Sequence, residues 1–156
     1  MTLDTKIRFP KLNLPQFTPK LKRGGKDVFI FDILRRKYVT LLPEEWVRQN
    51  LIHFFIDYLH YPKGLIGVEM QVKINNIPFR TDLLVFDNQN KPLLIVECKA
   101  PKIKLTEDVL HQALRYNMKL NVPYVIISNG LQHMVFSVIN GHVKQLETFP
   151  NLEDYY

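Results

Sequence analysis

The sequence predicts an α/β domain built on a mixed β-sheet flanked by helices. Three observations predict it. The run Leu93-Leu94-Ile95-Val96 is apolar on both faces, as in a central strand covered from both sides. The order strand, helix, strand over 92–128 reads as a right-handed parallel crossover. Two segments of helical apolar spacing, 43–60 and 106–120, supply the cover.

The elements follow in chain order. Residues 1–27 contain Pro10, Pro15, Pro19 and the pair Gly24-Gly25, so an extended, loosely ordered arm is expected. Residues 28–33 and 38–42 read either as a short hairpin around Arg35-Arg36 or as chain packed on the domain. A helix is predicted from Pro43, which suits the first helical position, to about His60. Glu44 and Glu45 fall in its first turn, where the helix dipole favours anions. Trp46, Val47, Leu51, Phe54, Phe55, Tyr58 and Leu59 form its broad apolar face. Strands are predicted at 65–74, ending at Asn75-Asn76, and at 79–86 and 92–98 about the polar run 87–91. Thr106 caps a second helix, with Glu107 and Asp108 in its first turn, and Asn121-Val122-Pro123 stops it. Residues 124–128 form another strand, and 133–139 with 143–147 form a closing hairpin about Asn140-Gly141. The domain is set at 28–150, between the arm and a tail at 151–156.

Composition narrows the function classes. The chain has 156 residues, 46% of them hydrophobic, enough for one packed domain. A membrane span needs roughly 18 consecutive apolar residues, and no such run occurs. The start of the chain lacks the apolar run of a secretory signal. The single cysteine, Cys98, excludes an intramolecular disulfide, and a cytoplasmic location is expected. Of the net charge of +6, residues 1–39 carry ten Lys/Arg against three Asp/Glu, so the basic excess is N-terminal. Such an arm suits phosphates, and a solvated tail explains it equally well.

The chemistry concentrates at two strand ends. Arg80-Thr81-Asp82 opens one strand and Glu97-Cys98-Lys99 closes the next. An even-length loop between them pairs residues whose numbers sum to 179, which sets Asp82 opposite Glu97. An odd loop would turn the two carboxylates to opposite faces. Directly opposed, their Cβ atoms lie roughly 4.5–5.5 Å apart. Two carboxylates that close repel unless a proton or cation sits between them, and a divalent ion suits oxygen ligands. Lys99, two residues after Glu97, shares its face and is placed to position a water or steady developing phosphorane charge. The plainer reading is a strand edge with charged ends. Gln112 and Tyr116, four apart on the second helix, share a face and suit contact with Lys99 or a phosphate, or a half-buried polar pair. Glu45 reads by spacing as a solvated N-terminal charge, and alternatively as part of a metal's shell.

The segments Pro43-Glu44-Glu45-Trp46-Val47-Arg48-Gln49, Arg80-Thr81-Asp82, Val96-Glu97-Cys98-Lys99-Ala100-Pro101, Gln112-Ala113-Leu114-Arg115-Tyr116-Asn117 and Ser128-Asn129-Gly130 together resemble the N-terminal nuclease domain of type I restriction enzyme R subunits. That domain belongs to the PD-(D/E)XK nuclease superfamily. The resemblance spans about 28–140 and implies a restriction-endonuclease-like fold and a Mg²⁺-dependent DNA endonuclease, with Mn²⁺ as a substitute. It implies Asp82 and Glu97 as metal ligands, the Cys98 carbonyl as a further one, and Lys99 as the catalytic lysine. Gln112 and Tyr116 match its QxxxY element and Glu45, or adjacent Glu44, its first-helix glutamate. Glu69 falls in a family-like position without a definite role. Thr81 replaces the proline before the first aspartate. The implied partners are DNA and either a second copy or a separate motor or specificity subunit, since Gly24-Gly25-Lys26 lacks the spacing of an ATP-binding loop. The alternative function is a DNA-binding or partner-recruiting module that keeps the fold and cuts little alone.

Overall fold

The computed structural model describes residues 9–156, with every side chain in that range except those of Ile74, Tyr116 and Lys119. The first eight residues of the expected arm lie outside the described residues.

The observed elements are β1 (Leu21–Gly24), β2 (Asp27–Asp32), β3 (Lys37–Thr40), α1 (Pro43–Asp57), β4 (Ile66–Val68), β5 (Gln71–Ile74), β6 (Ile77–Arg80), β7 (Leu83–Phe86), β8 (Pro92–Cys98), α2 (Glu107–Leu120), β9 (Tyr124–Ser128), β10 (His133–Ile139) and β11 (His142–Leu146). A six-stranded sheet runs in the order β11-β10-β9-β8-β7-β4. Its β8–β9 pair is parallel, joined through α2, and its other pairs are antiparallel. The architecture is therefore the expected mixed α/β one.

Helix α1 covers one face of this sheet. Its Val47, Leu51, Ile52 and Phe55 bury against Leu83, Leu94, Val96, Cys98 and Ile126. Helix α2 covers the other face, with Val109, Leu110 and Ala113 against Val125, Ile127 and Phe136. Alternation along β8 explains the double cover: Leu94 and Val96 face α1 while Ile95 faces the opposite side. Helix α2 is capped by Thr106, whose hydroxyl accepts from the Val109 amide, and it ends at Asn121 in the left-handed region.

Helix α1 is buried more completely than an amphipathic surface helix. Glu45, Arg48, Gln49 and Asn50 are buried along with its apolar residues. The cause is a second cover. The strands β1, β2 and β3 form a separate antiparallel sheet, and its Val28, Ile30 and Val39 cluster with Trp46. Residues 9–20, though irregular, also dock here. Trp46 stacks on Phe9 and Phe17, and Leu12 enters the main core. The arm expected to be loose is thus packed from residue 9 onward, because its apolar residues meet α1. At the other end Leu152 is buried in the same core, which ties down the residues set apart as a tail.

Two predicted strands are each divided. The segment 65–74 breaks at Glu69, whose φ of 50° ends β4 before β5 begins. The segment 79–86 breaks at Thr81-Asp82. The freed pieces β5 and β6 pair about Asn75-Asn76, both with positive φ as a tight hairpin turn requires.

Candidate active site at the end of the central strand

The register of β7 and β8 governs the site. Leu83 pairs with Val96, Leu84 with Ile95 and Val85 with Leu94, while Phe86 pairs with Pro92. The connection is therefore odd in length, residues 87–91. Leu93 is extra, and this bulge between Val85 and Phe86 restores the sum of 179 from Val85–Leu94 to Leu83–Val96, where the pairing ends one residue short of Asp82. Asp87 stabilises the loop by accepting from the amides of Gln89 and Lys91.

Asp82 lies one residue before β7 and is anchored three ways. Its carbonyl accepts from the Glu69 amide (3.0 Å), its Oδ2 from the Cys98 amide (2.7 Å) and its Oδ1 from Arg48 Nη2 (2.8 Å). Glu97, the second-last residue of β8, is half-exposed and pairs with Lys99 Nζ at 2.9 Å. The hydrogen bond that Lys99 donates to Glu97 raises the Lys99 pKa above its ordinary value against partial burial, with the charges of Glu97, Glu44 and Asp82 adding attraction. Glu97 and Lys99 both face the α2 side, where they line a cavity of about 570 Å³ with Ile95, Gln112 and Arg115. The Tyr116 side chain lies outside the described residues. Cys98 is buried in the core facing α1, and burial pushes its thiol well up, so it stays protonated and apolar.

The first-helix glutamates divide. Glu45 is buried among cations, accepting from Arg35, Arg48 and the Gln49 amide. Glu44 is half-exposed, with only a 3.4 Å contact to Arg48. Its carboxyl is pushed up by burial and by the charge of Asp82, and Glu97 adds to this, while Arg48 and Lys99 oppose it. Glu44 therefore shares the field of Asp82, Glu97 and Lys99.

Sequence reasoning missed the arginines. Arg48, almost fully buried, bridges Glu45 and Asp82 and approaches Glu69 at 3.5 Å. Arg35 joins Asp32, Glu45 and Glu69, and Arg80 lies 3.6 Å from Glu69. Glu69 thus gains a definite place, accepting from Arg35 and lying within ion-pair distance of Arg48 and Arg80. The signal was present in Glu45 and Arg48 at helical i, i+3 spacing. It carried no weight until the Glu45–Arg48 side of α1 proved buried.

No three His, Cys, Asp or Glu side chains among the described residues stand close enough to hold a metal ion by themselves. Magnesium does not require that, since it keeps waters and is commonly held by one or two carboxylates plus a substrate phosphate. Each oxygen of Asp82 carries one hydrogen bond, and Glu97 has one oxygen outside its lysine pair. Both carboxylates therefore retain acceptor capacity, and a hard oxygen donor set of this kind fits a hard divalent cation.

Fold and site define a mixed α/β domain whose central strand ends in a carboxylate and a lysine beside a second carboxylate. Residues 43–150 match the family described as type I restriction enzyme R protein N terminus (HSDR_N), and the chain belongs to that family. It is also similar to the fragment structure of a putative HsdR subunit of a type I restriction enzyme from Vibrio vulnificus YJ016. The identity is 19% and the TM-score 0.44, over 58% of this chain and 19% of that one. The chain thus spans less than a fifth of that relative's length. No curated protein matches the chain.

Proposed function

We propose that this domain is a Mg²⁺-dependent DNA endonuclease of the PD-(D/E)XK type, acting in restriction. The observation that supports the reading is that the Asp82 carboxylate accepts from the Cys98 amide, so it lies beside the residue that Glu97 and Lys99 flank. Asp82 and Glu97 would hold the cation, with Glu44 as the accessible first-helix carboxylate and the Cys98 carbonyl as a further oxygen. The bound ion would polarise the scissile phosphate and acidify a water. The chain's own groups do the rest. The Cys98 amide and Arg48 hold Asp82 in one orientation. Lys99 stays protonated beside Glu97 and is placed to donate to a phosphate oxygen as charge develops there. Gln112, on the rim of the same cavity, would orient Lys99 or contact the backbone, with Tyr116 in the matching position one turn on.

Incubating the chain with DNA and Mg²⁺ or Mn²⁺ tests this. Lys99→Ala should cut at least about 100-fold more slowly, the usual cost of removing one charge-stabilising donor. Equal cutting by both proteins would refute the reading. One observation favours a second reading, a DNA-binding or partner-recruiting module. Asp82 and Glu97 are each already neutralised by a cation of the chain, Arg48 and Lys99. On that reading the chain binds DNA and cuts only when a motor or specificity subunit, or a second copy, is added.

A further inference from the structure

The small sheet β1–β3 has two unlike faces. Val28, Ile30 and Val39 turn toward Trp46, the first two buried and Val39 partly so. The register sets Lys22 beside Phe29 and Phe31 beside Tyr38, so these four residues share the opposite face. On that face Phe29 and Phe31 are half-buried and Tyr38 is exposed. Phe31 and Tyr38 meet edge to face at 5.2 Å. The ammonium of Lys22 lies 4.3 Å from the Tyr38 ring centre and 5.8 Å from that of Phe29, and that of Lys20 lies 5.7 Å from Phe31. A Cβ on Gly24 would come within 3.0 Å of the Phe29 ring, so the absent side chain leaves that ring room to lie over β1.

Around these rings the exposed charge is of one sign. Lys20 and Lys22 on this face and Lys26 and Arg36 in the adjoining turns are exposed, against Asp27 alone among the exposed acids of 20–40. The acid within the sheet, Asp32, is buried and bonded to Arg35 and Gln49. Arg35 in turn reaches Glu45 and Glu69, so the sheet is tied rigidly to the candidate active site.

We propose that the outer face of β1–β3 binds an unpaired nucleic-acid strand, with bases stacking on Phe29, Phe31 and Tyr38 and the surrounding lysines pairing its phosphates. Base-on-aromatic stacking tolerates any sequence, and the ammonium groups now over the rings are placed to move onto phosphates as bases replace them. A duplex hides its base faces, so it would use the lysines only. An acidic peptide or an anionic membrane would likewise use the charge and leave the rings idle. This inference stands apart from the cutting chemistry, and it concerns residues before the family match, which begins at 43.

The test is fluorescence anisotropy of the full chain in EDTA, which prevents cleavage. The probes are labelled oligothymidylate and oligouridylate of about 12 nucleotides, a length within the span of comparable single-strand sites. Competitors are a duplex of equal length, poly-glutamate and phosphatidylserine vesicles. The unpaired strand, as DNA or RNA, should bind most tightly. The double variant Phe31→Leu/Tyr38→Leu, which keeps apolar bulk without a ring face, should bind it about ten-fold more weakly or worse. Lys22→Gln, which removes charge and leaves both rings in place, should flatten the salt dependence. Equal affinity of the double variant and the parent, or preference for the duplex, peptide or vesicles, would overturn the proposal. If the double variant melts early, an unchanged salt slope in Lys22→Gln overturns it independently. Loss of cutting in Lys99→Ala would leave this binding unchanged, so the two readings fail separately.

Discussion

Arg48 is the residue on which the site's order depends. Its guanidinium is almost fully buried and meets Glu45 and Asp82, with Glu44 at 3.4 Å. Burial opposes its charge, and the attraction of Glu45 and Asp82 outweighs that opposition. Replacing Arg48 by alanine leaves Glu45 buried with one cation fewer and frees Asp82 to rotate. The expected loss is about 3–5 kcal/mol, the usual cost of breaking a buried ion pair from one side, measured by urea unfolding. Glu44 responds in the opposite sense. Its carboxyl pKa is raised by burial first and by Asp82 next, so folding favours its protonated form. Stability from this group is present below the ordinary glutamate value and is lost as pH rises through the raised one. Glu44→Gln should therefore raise the unfolding free energy slightly at pH 7, by at most about 0.5 kcal/mol for so exposed a side chain, read by urea unfolding. The gain should vanish toward pH 4, and a loss of stability at pH 7 would contradict the placement.

At the scale of elements, the fold was legible where apolar periodicity is strong and less so where single backbone conformations decide. Both helices, the central strand and the crossover follow from apolar spacing and the Thr106 cap. The turn at Asn140-Gly141 also follows, since both residues take positive φ. The division of 65–74 did not, because it rests on one left-handed glutamate, Glu69, that no composition rule singles out. Nor did the bulge at Leu93. An odd loop alone would have turned Asp82 away from Glu97, and only the pairing shows that an extra residue restores the register. In the candidate site the Glu97–Lys99 pair follows from strand spacing, while the place of Asp82 depends on the bulge and on its bond to the Cys98 amide. Arg35, Arg48 and Glu69 come from three separate elements and meet only through tertiary packing. The same applies to residues 9–20. The Asn13 amide donates to the Gly130 carbonyl, and Leu12 lies where a Cβ on Gly130 would come within 2.7 Å. Gly130 also holds φ at +84°. Gly130→Ala combines that backbone strain with displacement of Leu12 and should cost about 2 kcal/mol or more, read by thermal unfolding. A change of less than about 0.5 kcal/mol would mean that the N-terminal segment is not seated there.

For the whole molecule, the layers explain why these residues meet. Helix α1 is held between the main sheet and β1–β3, so its polar residues are forced into contact with the strand ends rather than with solvent. Helix α2 lies on the opposite face and leaves a cavity that opens onto Glu97 and Lys99. No helix among the described residues is long and apolar enough to cross a membrane. The family match from 43 to 150 contains both helices and every candidate site residue, while β1–β3 stands outside it and supplies Arg35. The central claim is that Asp82 and Glu97 hold one divalent cation together. Calorimetric titration of Mn²⁺ into the Lys99→Ala chain bound to DNA tests it without heat from cleavage. A single site that disappears when Glu97→Gln is added is the predicted result, and the same binding with and without Glu97, or none in either protein, would contradict it.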